Sequence, residues 1–129
     1  MNILGFRSDS AEVALMIYQD GKTNSYGWKA DRELAHGIFK FFKESLDKEN
    51  LSYEELNGLV GYKGPGSFTG LRIGLTVLNT IADNNNIPIV GTTDDAWFEE
   101  GVKRIIAGES DGLVMPEYGA EAHVTLPKK

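Results

Sequence analysis

The spacing of apolar residues divides the first part of the chain into strands. "NILGF" is a short apolar run that ends in polar residues, and in "AEVALMIYQDGKTNSYGW" the residues Val13, Leu15 and Ile17 alternate with smaller or softer side chains. Asp20-Gly21 is a two-residue turn signal, so this stretch is predicted to form a hairpin whose second strand covers about residues 22–28. Two further strands are predicted at "LNGLVGY" and "IPIVG", the second of them buried.

Three other segments carry apolar residues at helical spacing. The first helix is predicted at about residues 31–47, with Asp31 as its N-cap. A capping-box pattern at "SYEE" predicts a short helical turn before the fourth strand. The second long helix is predicted to start at Ser67 or Thr69 and to end at about Asp83, because asparagines and a proline follow.

The third helix is predicted within "TTDDAWFEEGVKRIIAG", with Thr93 or Asp94 as its cap and Gly108 just beyond its end. The resulting order, β-β-β-α-β-α-β-α, predicts an α/β fold: one lobe with a mixed five-stranded sheet and helices on both faces. We divide the chain into a domain of residues 1–112 and a terminal segment, 113–129, with a short strand at about residues 113–115 and an extended tail.

Length, charge and composition narrow the possible functions. The chain has 129 residues, which suits one domain, and a net charge of −6, which disfavours direct nucleic-acid binding through a basic face. It has no cysteine, so disulfides, thiolate metal sites and cysteine nucleophiles are excluded. We see neither a signal peptide nor an apolar run of the roughly 20 residues that span a membrane, so the expected location is the cytoplasm.

The glycine-rich stretch "GYKGPGSFTGLRIG" precedes the second helix and allows three interpretations. Phosphate binding is disfavoured because no lysine follows the last glycine and the spacing is not that of a dinucleotide fingerprint. A serine hydrolase is disfavoured because "GPGSFTG" is not GxSxG. The third interpretation is association, because the apolar arc of the helix spans roughly 200°, more than one sheet covers.

Association is also favoured by an apolar arc of roughly 160° on the first helix, and by Gly70 and Gly74, which would leave a notch for another helix. The alternative is that the two helices simply bury each other inside one fold. We predict a partner interface formed by apolar residues of both helices: Leu34, Ile38, Phe42, Leu71, Gly74, Leu75 and Leu78.

The segment "GPGSFTGLRIG" closely resembles the signature loop of the TsaB (YeaZ) family. Further segments resemble the same family: "ILGF.SDSAEVAL", "RE" at residues 32–33, "IPIVGTT" and "MPEYG". The resemblance covers nearly the whole chain and implies an actin-like, ribonuclease-H-like fold. It identifies the signature-loop residues as Gly64, Pro65, Gly66, Ser67, Phe68, Thr69, Gly70 and Arg72.

The resemblance also implies a function. TsaB proteins are non-catalytic scaffolds that pair with a catalytic subunit, TsaD, and work with an ATPase, TsaE, to transfer a threonylcarbamoyl group to adenosine in tRNA. We therefore expect a heterodimer through the first and second helices, a possible TsaE-type partner, and self-association when the chain is alone. We expect no catalytic residue, no metal and no cofactor.

The chain departs from the family pattern at several points. Arg7 stands where the family usually has an aspartate, which in the working ATPases of this fold helps to hold metal and phosphate. Leu34 replaces the histidine of a family "REH" motif, and Ala120 stands where an arginine is expected. Few residues separate the third helix from "MPEYG", so the chain resembles a shortened form of the family that lacks most of the second lobe.

Two alternatives to the scaffold function remain. The first is a stand-alone homodimeric interaction protein that uses the same apolar helices. The second is a ribonuclease-H-like or actin-like enzyme, whose two-metal chemistry needs carboxylates that converge from the first strand and its neighbours. This second alternative is disfavoured, because Arg7 occupies the position of the first carboxylate.

Overall fold

The computed structural model of the protein describes residues 1–117. Most of the predicted terminal tail, including Ala120, lies outside the described residues. Five strands form one sheet in the order β3-β2-β1-β4-β5. Their bounds are β1 (Asn2–Arg7), β2 (Glu12–Gln19), β3 (Lys22–Lys29), β4 (Gly58–Tyr62) and β5 (Ile89–Thr92).

The sheet is mixed, as the sequence predicts. Strand β2 runs antiparallel to both β1 and β3, whereas β4 is parallel to both β1 and β5. The alternation in β2 fixes its register, because Val13, Leu15 and Ile17 are buried while the residues between them are half-buried. Every residue of β4 is buried, because helices cover both faces of the sheet at this strand.

Three helices complete the fold: α1 (Leu34–Lys48), α2 (Phe68–Asn85) and α3 (Trp97–Ile106). Helices α1 and α2 share one hydrophobic cluster with β1 and β2, whereas α3 packs in a second cluster with residues of β1, β4 and β5. The predicted order of elements and the prediction of helices on both sheet faces are confirmed.

Several predicted helix ends are confirmed. Ser67 is the N-cap of α2, and its Oγ accepts a hydrogen bond from the Gly70 N–H at 3.2 Å. Ser52 and Glu55 form the predicted capping box around a short 3-10 helix. Gly108 follows the C-cap of α3 with a φ of +88°, a conformation that glycine adopts readily.

Two predicted caps are wrong. Asp31 lies in the first turn of a 3-10 helix, and α1 begins only at Leu34, without a side-chain hydrogen bond at its N-cap. The N-cap of α3 is Ala96, also without such a bond, rather than Thr93 or Asp94. In both places the aspartate, Asp31 or Asp94, has a positive φ and lies in a turn that precedes the helix.

The predicted strand at residues 113–115 is also wrong. The segment after α3 forms no strand there, because the side-chain amide of Asn79 takes the position of a neighbouring strand. Its Nδ2 donates to the Val114 carbonyl and its Oδ1 accepts the Val114 N–H, both at 2.9 Å. We call residues 109–117 the strap. The predicted domain boundary at residues 112 and 113 falls inside it.

Candidate functional site

The signature loop docks onto the turn between β1 and β2. The Ser67 N–H donates to the Asp9 carbonyl at 2.8 Å, and the Ser8 hydroxyl donates to the Gly70 carbonyl at 2.7 Å. Ser8 is 2% exposed, so this bond satisfies a buried polar group. The first turn of α2 is thereby fixed against the carboxyl end of β1.

The glycines of the loop are explained by this docking. A Cβ on Gly70 would overlap the Ser8 carbonyl oxygen, and a Cβ on Gly74 would overlap the Ser8 hydroxyl and lie 3.1 Å from the Phe6 ring. The predicted notch at Gly70 and Gly74 therefore exists, but the chain's own β1 end fills it. It is not open to a helix of another protein.

The other end of the loop is held by the strap. The Glu117 N–H donates to the Lys63 carbonyl at 2.6 Å, and the Tyr62 hydroxyl donates to the Pro65 carbonyl at 3.3 Å. Gly64 has a φ of +127°, and a Cβ there would overlap the Glu117 carbonyl. The loop is thus fixed at both ends by contacts within the described residues.

Arg7 lies beside this loop, at the carboxyl end of β1. Its guanidinium lies 3.9 Å from the centroid of the Tyr62 ring and donates two hydrogen bonds to Asp9, at 2.8 and 2.9 Å. Burial raises the pKa of the Asp9 carboxyl, but the hydrogen bond and charge of Arg7 together with a backbone hydrogen bond outweigh burial and hold the pKa below the ordinary value. A neutral ion pair therefore occupies the end of this strand.

This arrangement does not suit metal chemistry. Asp9 is committed to Arg7, and within residues 1–117 no group of three or more His, Asp or Glu side chains is placed to hold a metal ion. The same part of the chain contains no helix that is long and apolar enough to cross a membrane.

The structure places the residues of the predicted interface in the chain's own interior. Six of these side chains are at most 6% exposed, and Gly74 is buried as well. The physical reason is that α1 and α2 pack side by side on the sheet, so each covers part of the other's wide apolar arc. A contact of these helices with a partner stays a prediction, and exposed neighbours would have to make it. The buried residues are Leu34, Ile38, Phe42, Leu71, Gly74, Leu75 and Leu78.

Exposed apolar residues do lie along the line where the two helices meet. Phe39 of α1 is 57% exposed and Phe68 of α2 is 55% exposed, and both line a groove of about 360 Å³. The Arg72 guanidinium lies 5.4 Å from the Phe68 ring centroid. We call this feature the α1–α2 groove; its exposed or half-buried walls include Ala35, Phe39, Phe68, Thr69, Arg72, Ile73 and Thr76.

The predicted interface comprises residues at the centre of each apolar arc and leaves out the residues at its edges. Phe39 and Ile73 belong to the arcs but were not assigned to the interface. The signal that would have identified them is their place at the border between apolar and polar residues. When two helices share their arcs on one sheet, the centres are buried and the borders stay accessible.

The fold has known counterparts among solved structures. YeaZ from Pseudomonas aeruginosa superposes with a TM-score of 0.68 at 21% sequence identity, covering 78% of this chain and 50% of that chain. RuvC from T. thermophilus, solved with a Holliday junction substrate, gives a TM-score of 0.52 at 13% identity, covering 96% and 85%. The chain is therefore a single actin-like, ribonuclease-H-like lobe, as predicted.

The sequence comparisons give the family. The model for TsaD, tRNA N6-adenosine threonylcarbamoyltransferase, matches residues 28–94, just over half of the chain. The TsaB protein of Escherichia coli (strain K12) is 27% identical over 113 residues, covering 83% of this chain and 49% of the relative. TsaB of Buchnera aphidicola subsp. Baizongia pistaciae is 32% identical over 114 residues, covering 81% and 51%.

The chain belongs to the TsaD family that this model defines, and within it to the TsaB/YeaZ proteins. The resemblance of the signature loop is thereby confirmed at the level of the family. The chain spans about half the length of the curated relatives it matches.

Proposed function

We propose that this chain is a non-catalytic subunit in the biosynthesis of threonylcarbamoyladenosine in tRNA, and that it pairs with a TsaD-type catalytic subunit through the α1–α2 groove. The TsaB relatives carry the name of this pathway, and the matching family model is that of the transferase itself. Because partner and chain share a family, a pairing of like helices is a natural geometry.

The observation that carries the proposal is the α1–α2 groove itself. Two large aromatic side chains, Phe39 and Phe68, are more than half exposed on adjacent helices of a chain with an otherwise well-formed core. Aromatic residues beside an apolar concavity are typical of interface centres, where they bury much area at low entropic cost. Arg72 at the wall of the groove supplies a charge that an acidic partner side chain would complement.

The end of β1 supports a non-catalytic role. In a working ATPase of this fold, that position needs a carboxylate for metal and phosphate. Here Arg7 is bound to Asp9 and stacked on Tyr62, so the residues present do not fit such a site. Catalysis would then belong to the TsaD-type subunit, and a TsaE-type ATPase would contact a surface other than this one.

A homodimer is the second candidate, and the same groove supports it. A two-fold axis through the groove would place Phe39 of one copy against the α2 side of the other. We expect self-association only when the TsaD-type subunit is absent, because one surface cannot serve both partners at once.

The test is light scattering on a size-exclusion column, with the chain alone and mixed with the TsaD-type subunit of its organism. We expect a one-to-one complex that replaces any homodimer. Phe39→Ser should weaken it roughly thirtyfold or more, as loss of an interface hot spot does. Ile106→Ser on α3 is the matched control, because Ile106 is 55% exposed, close to the 57% of Phe39, but lies outside the groove.

Two results would contradict the proposal. The first is no complex between the unaltered proteins while the chain stays homodimeric, which would favour the stand-alone homodimer. The second is a complex that Phe39→Ser and Ile106→Ser weaken equally, or that neither weakens, because the interface would then lie elsewhere.

A further inference from the structure

Strand β5 lies at one edge of the sheet formed by residues 1–117, so within these residues its outward backbone groups have no neighbouring strand. Its even-numbered residues point toward β4: the Lys63 N–H, for example, donates to the Thr92 carbonyl at 2.9 Å. Ile89 and Gly91 therefore direct their N–H and C=O groups outward. Such a row of groups is a template for pairing with another chain unless it is covered.

The strap and α3 satisfy all four of these groups. The Ile89 carbonyl accepts the Asp111 N–H at 2.7 Å, and the Ile89 N–H donates to the Ser110 Oγ at 3.3 Å. The Gly91 N–H donates to the Asp111 Oδ2 at 2.8 Å, and the Gly91 carbonyl accepts a hydrogen bond from Arg104 Nη1 at 3.3 Å. One backbone N–H and three side chains thus take the place of a sixth strand.

The strap is fastened by an ionic network as well. Arg104 donates to the Asp111 carboxylate with Nη2 at 2.6 Å and with Nη1 at 3.2 Å, and its Nε donates to Glu109 at 2.7 Å. The hydrogen bonds from Arg104 hold the pKa of Asp111 below its ordinary value. Asp111 is the central residue, because it binds both the strand edge and the arginine.

The two edges of the sheet are protected differently. Strand β3, at the other edge, has a lysine at each end and mostly polar exposed residues between them. Strand β5 reads "IVGT" and carries no charge. Two copies of β5 would therefore meet without electrostatic repulsion, whereas two copies of β3 would bring lysines together.

We propose that the strap is a lock on the β5 edge, which prevents β5 from pairing with β5 of a second copy of the chain. The lock leaves the helical face as the surface for association. Release of Asp111 from Gly91 and Arg104 opens the edge and permits the sheet to continue from one copy into the next.

The test compares Asp111→Ala with Glu109→Ala. Both remove a carboxylate bound to Arg104, but only Asp111 contacts β5. Both are made in a Phe39→Ser background, so that association through the α1–α2 groove does not contribute. Amide hydrogen exchange and light scattering are measured on the same samples.

We expect Asp111→Ala to speed exchange of the Gly91 amide about ten- to a hundredfold, the effect of losing a charge-assisted hydrogen bond. It should also form dimers that the Glu109→Ala variant does not form. Unchanged exchange at Gly91 would overturn the proposal. Faster exchange in a protein that stays monomeric would overturn it too, as would equal association of both variants.

Amides of β1 and β4 report whether the fold survives. If Asp111→Ala also exposes them, Ser110→Ala becomes the deciding variant, because it removes the acceptor for the Ile89 N–H and leaves the Asp111 carboxylate in place. The Ser110 hydroxyl also donates to the Ile89 carbonyl and accepts from the Gly112 N–H, and these bonds are lost with it. Faster exchange at Ile89 together with dimer formation would support the lock. Unchanged exchange there, or a monomer, would overturn it.

Discussion

Replacing Gly74 by alanine should destabilise the fold itself. The added Cβ would overlap the Ser8 hydroxyl and lie 3.1 Å from both Phe6 Cε2 and Ser8 Cβ. To avoid it, the hydroxyl must rotate and give up its 2.7 Å hydrogen bond to the Gly70 carbonyl.

The magnitude follows from three terms. Overpacking costs about 1–3 kcal/mol, and loss of the hydrogen bond costs about 1 kcal/mol. Alanine in place of glycine inside a helix returns about 1 kcal/mol. We therefore expect Gly74→Ala to lower the free energy of unfolding by about 1–3 kcal/mol.

The assay is urea unfolding with linear extrapolation, applied to a double-mutant cycle with Ser8→Ala. Ser8→Ala alone should cost about 1 kcal/mol, because it removes the hydrogen bond. In its presence, Gly74→Ala should cost less than about 1 kcal/mol, because the hydroxyl is gone. Thr76→Ala, on the exposed side of the same helix, is the control for helix propensity and should not destabilise.

The reasoning would be refuted by a Gly74→Ala protein at least as stable as the parent. It would be equally refuted by strictly additive effects of the two substitutions, because additivity would mean that the Ser8 hydroxyl and the Gly74 position do not meet.

Three further predictions concern polar contacts. Asn79→Ala should lower the free energy of unfolding by about 1–3 kcal/mol in urea titrations, because two bonds to the Val114 backbone are lost. The Tyr26 hydroxyl donates to Glu49, which raises its pKa from 10.0 to about 12, so spectrophotometric titration should find a late tyrosine that Glu49→Gln returns toward 10.0. The hydrogen bond from Arg104 lowers the pKa of Asp111 from 3.8, so the strap should keep its contacts above pH 3.8 and lose them as the pH falls through the lowered pKa. The NMR chemical shift of the Gly91 amide monitors this loss.

Each of these has a contrary outcome. Asn79→Ala should cost more than Thr80→Ala, whose hydroxyl bonds only within its own helix, and equal costs would contradict the first prediction. In the second, the hydrogen bond from Tyr26 to Glu49 contributes its full stabilisation below pH 10.0, the ordinary pKa of tyrosine. This contribution is lost as the pH rises through about 12. Five tyrosines that all titrate together would contradict it. In the third, a Gly91 amide chemical shift that already changes at a pH well above 3.8 would contradict the lowered pKa of Asp111.

Local signals explain how much of the fold the sequence predicts. The hairpin follows from alternation in β2 and from the turn at Asp20-Gly21, and the start of α2 follows from Ser67. These features depend on neighbouring residues only. The predicted caps of α1 and α3 are wrong because Asp31 and Asp94 themselves adopt a positive φ in a turn before the helix, and aspartate signals a turn as well as a cap.

The candidate site depends on distant contacts, so the sequence predicts it less well. The glycine spacing correctly indicates a close approach of backbone at Gly70 and Gly74. It does not reveal that Ser8, more than 60 residues earlier, is what approaches. Likewise, nothing in the sequence near Asn79 predicts that its side chain will form both hydrogen bonds to the Val114 backbone. Burial of a helix arc depends on which other helix shares the sheet, and that is a property of the whole fold.

The central claim is that the chain acts in threonylcarbamoyladenosine formation through its α1–α2 groove. The most direct measurement is the amount of this nucleoside in tRNA after reaction with the TsaD-type and TsaE-type proteins, ATP and threonylcarbamoyl-AMP as the donor. Four reactions are compared: with the unaltered chain, with Phe39→Ser, with Ile106→Ser, and without the chain. We expect product with the unaltered chain and with Ile106→Ser, and little with Phe39→Ser or without the chain. Equal product in all four reactions would contradict the account.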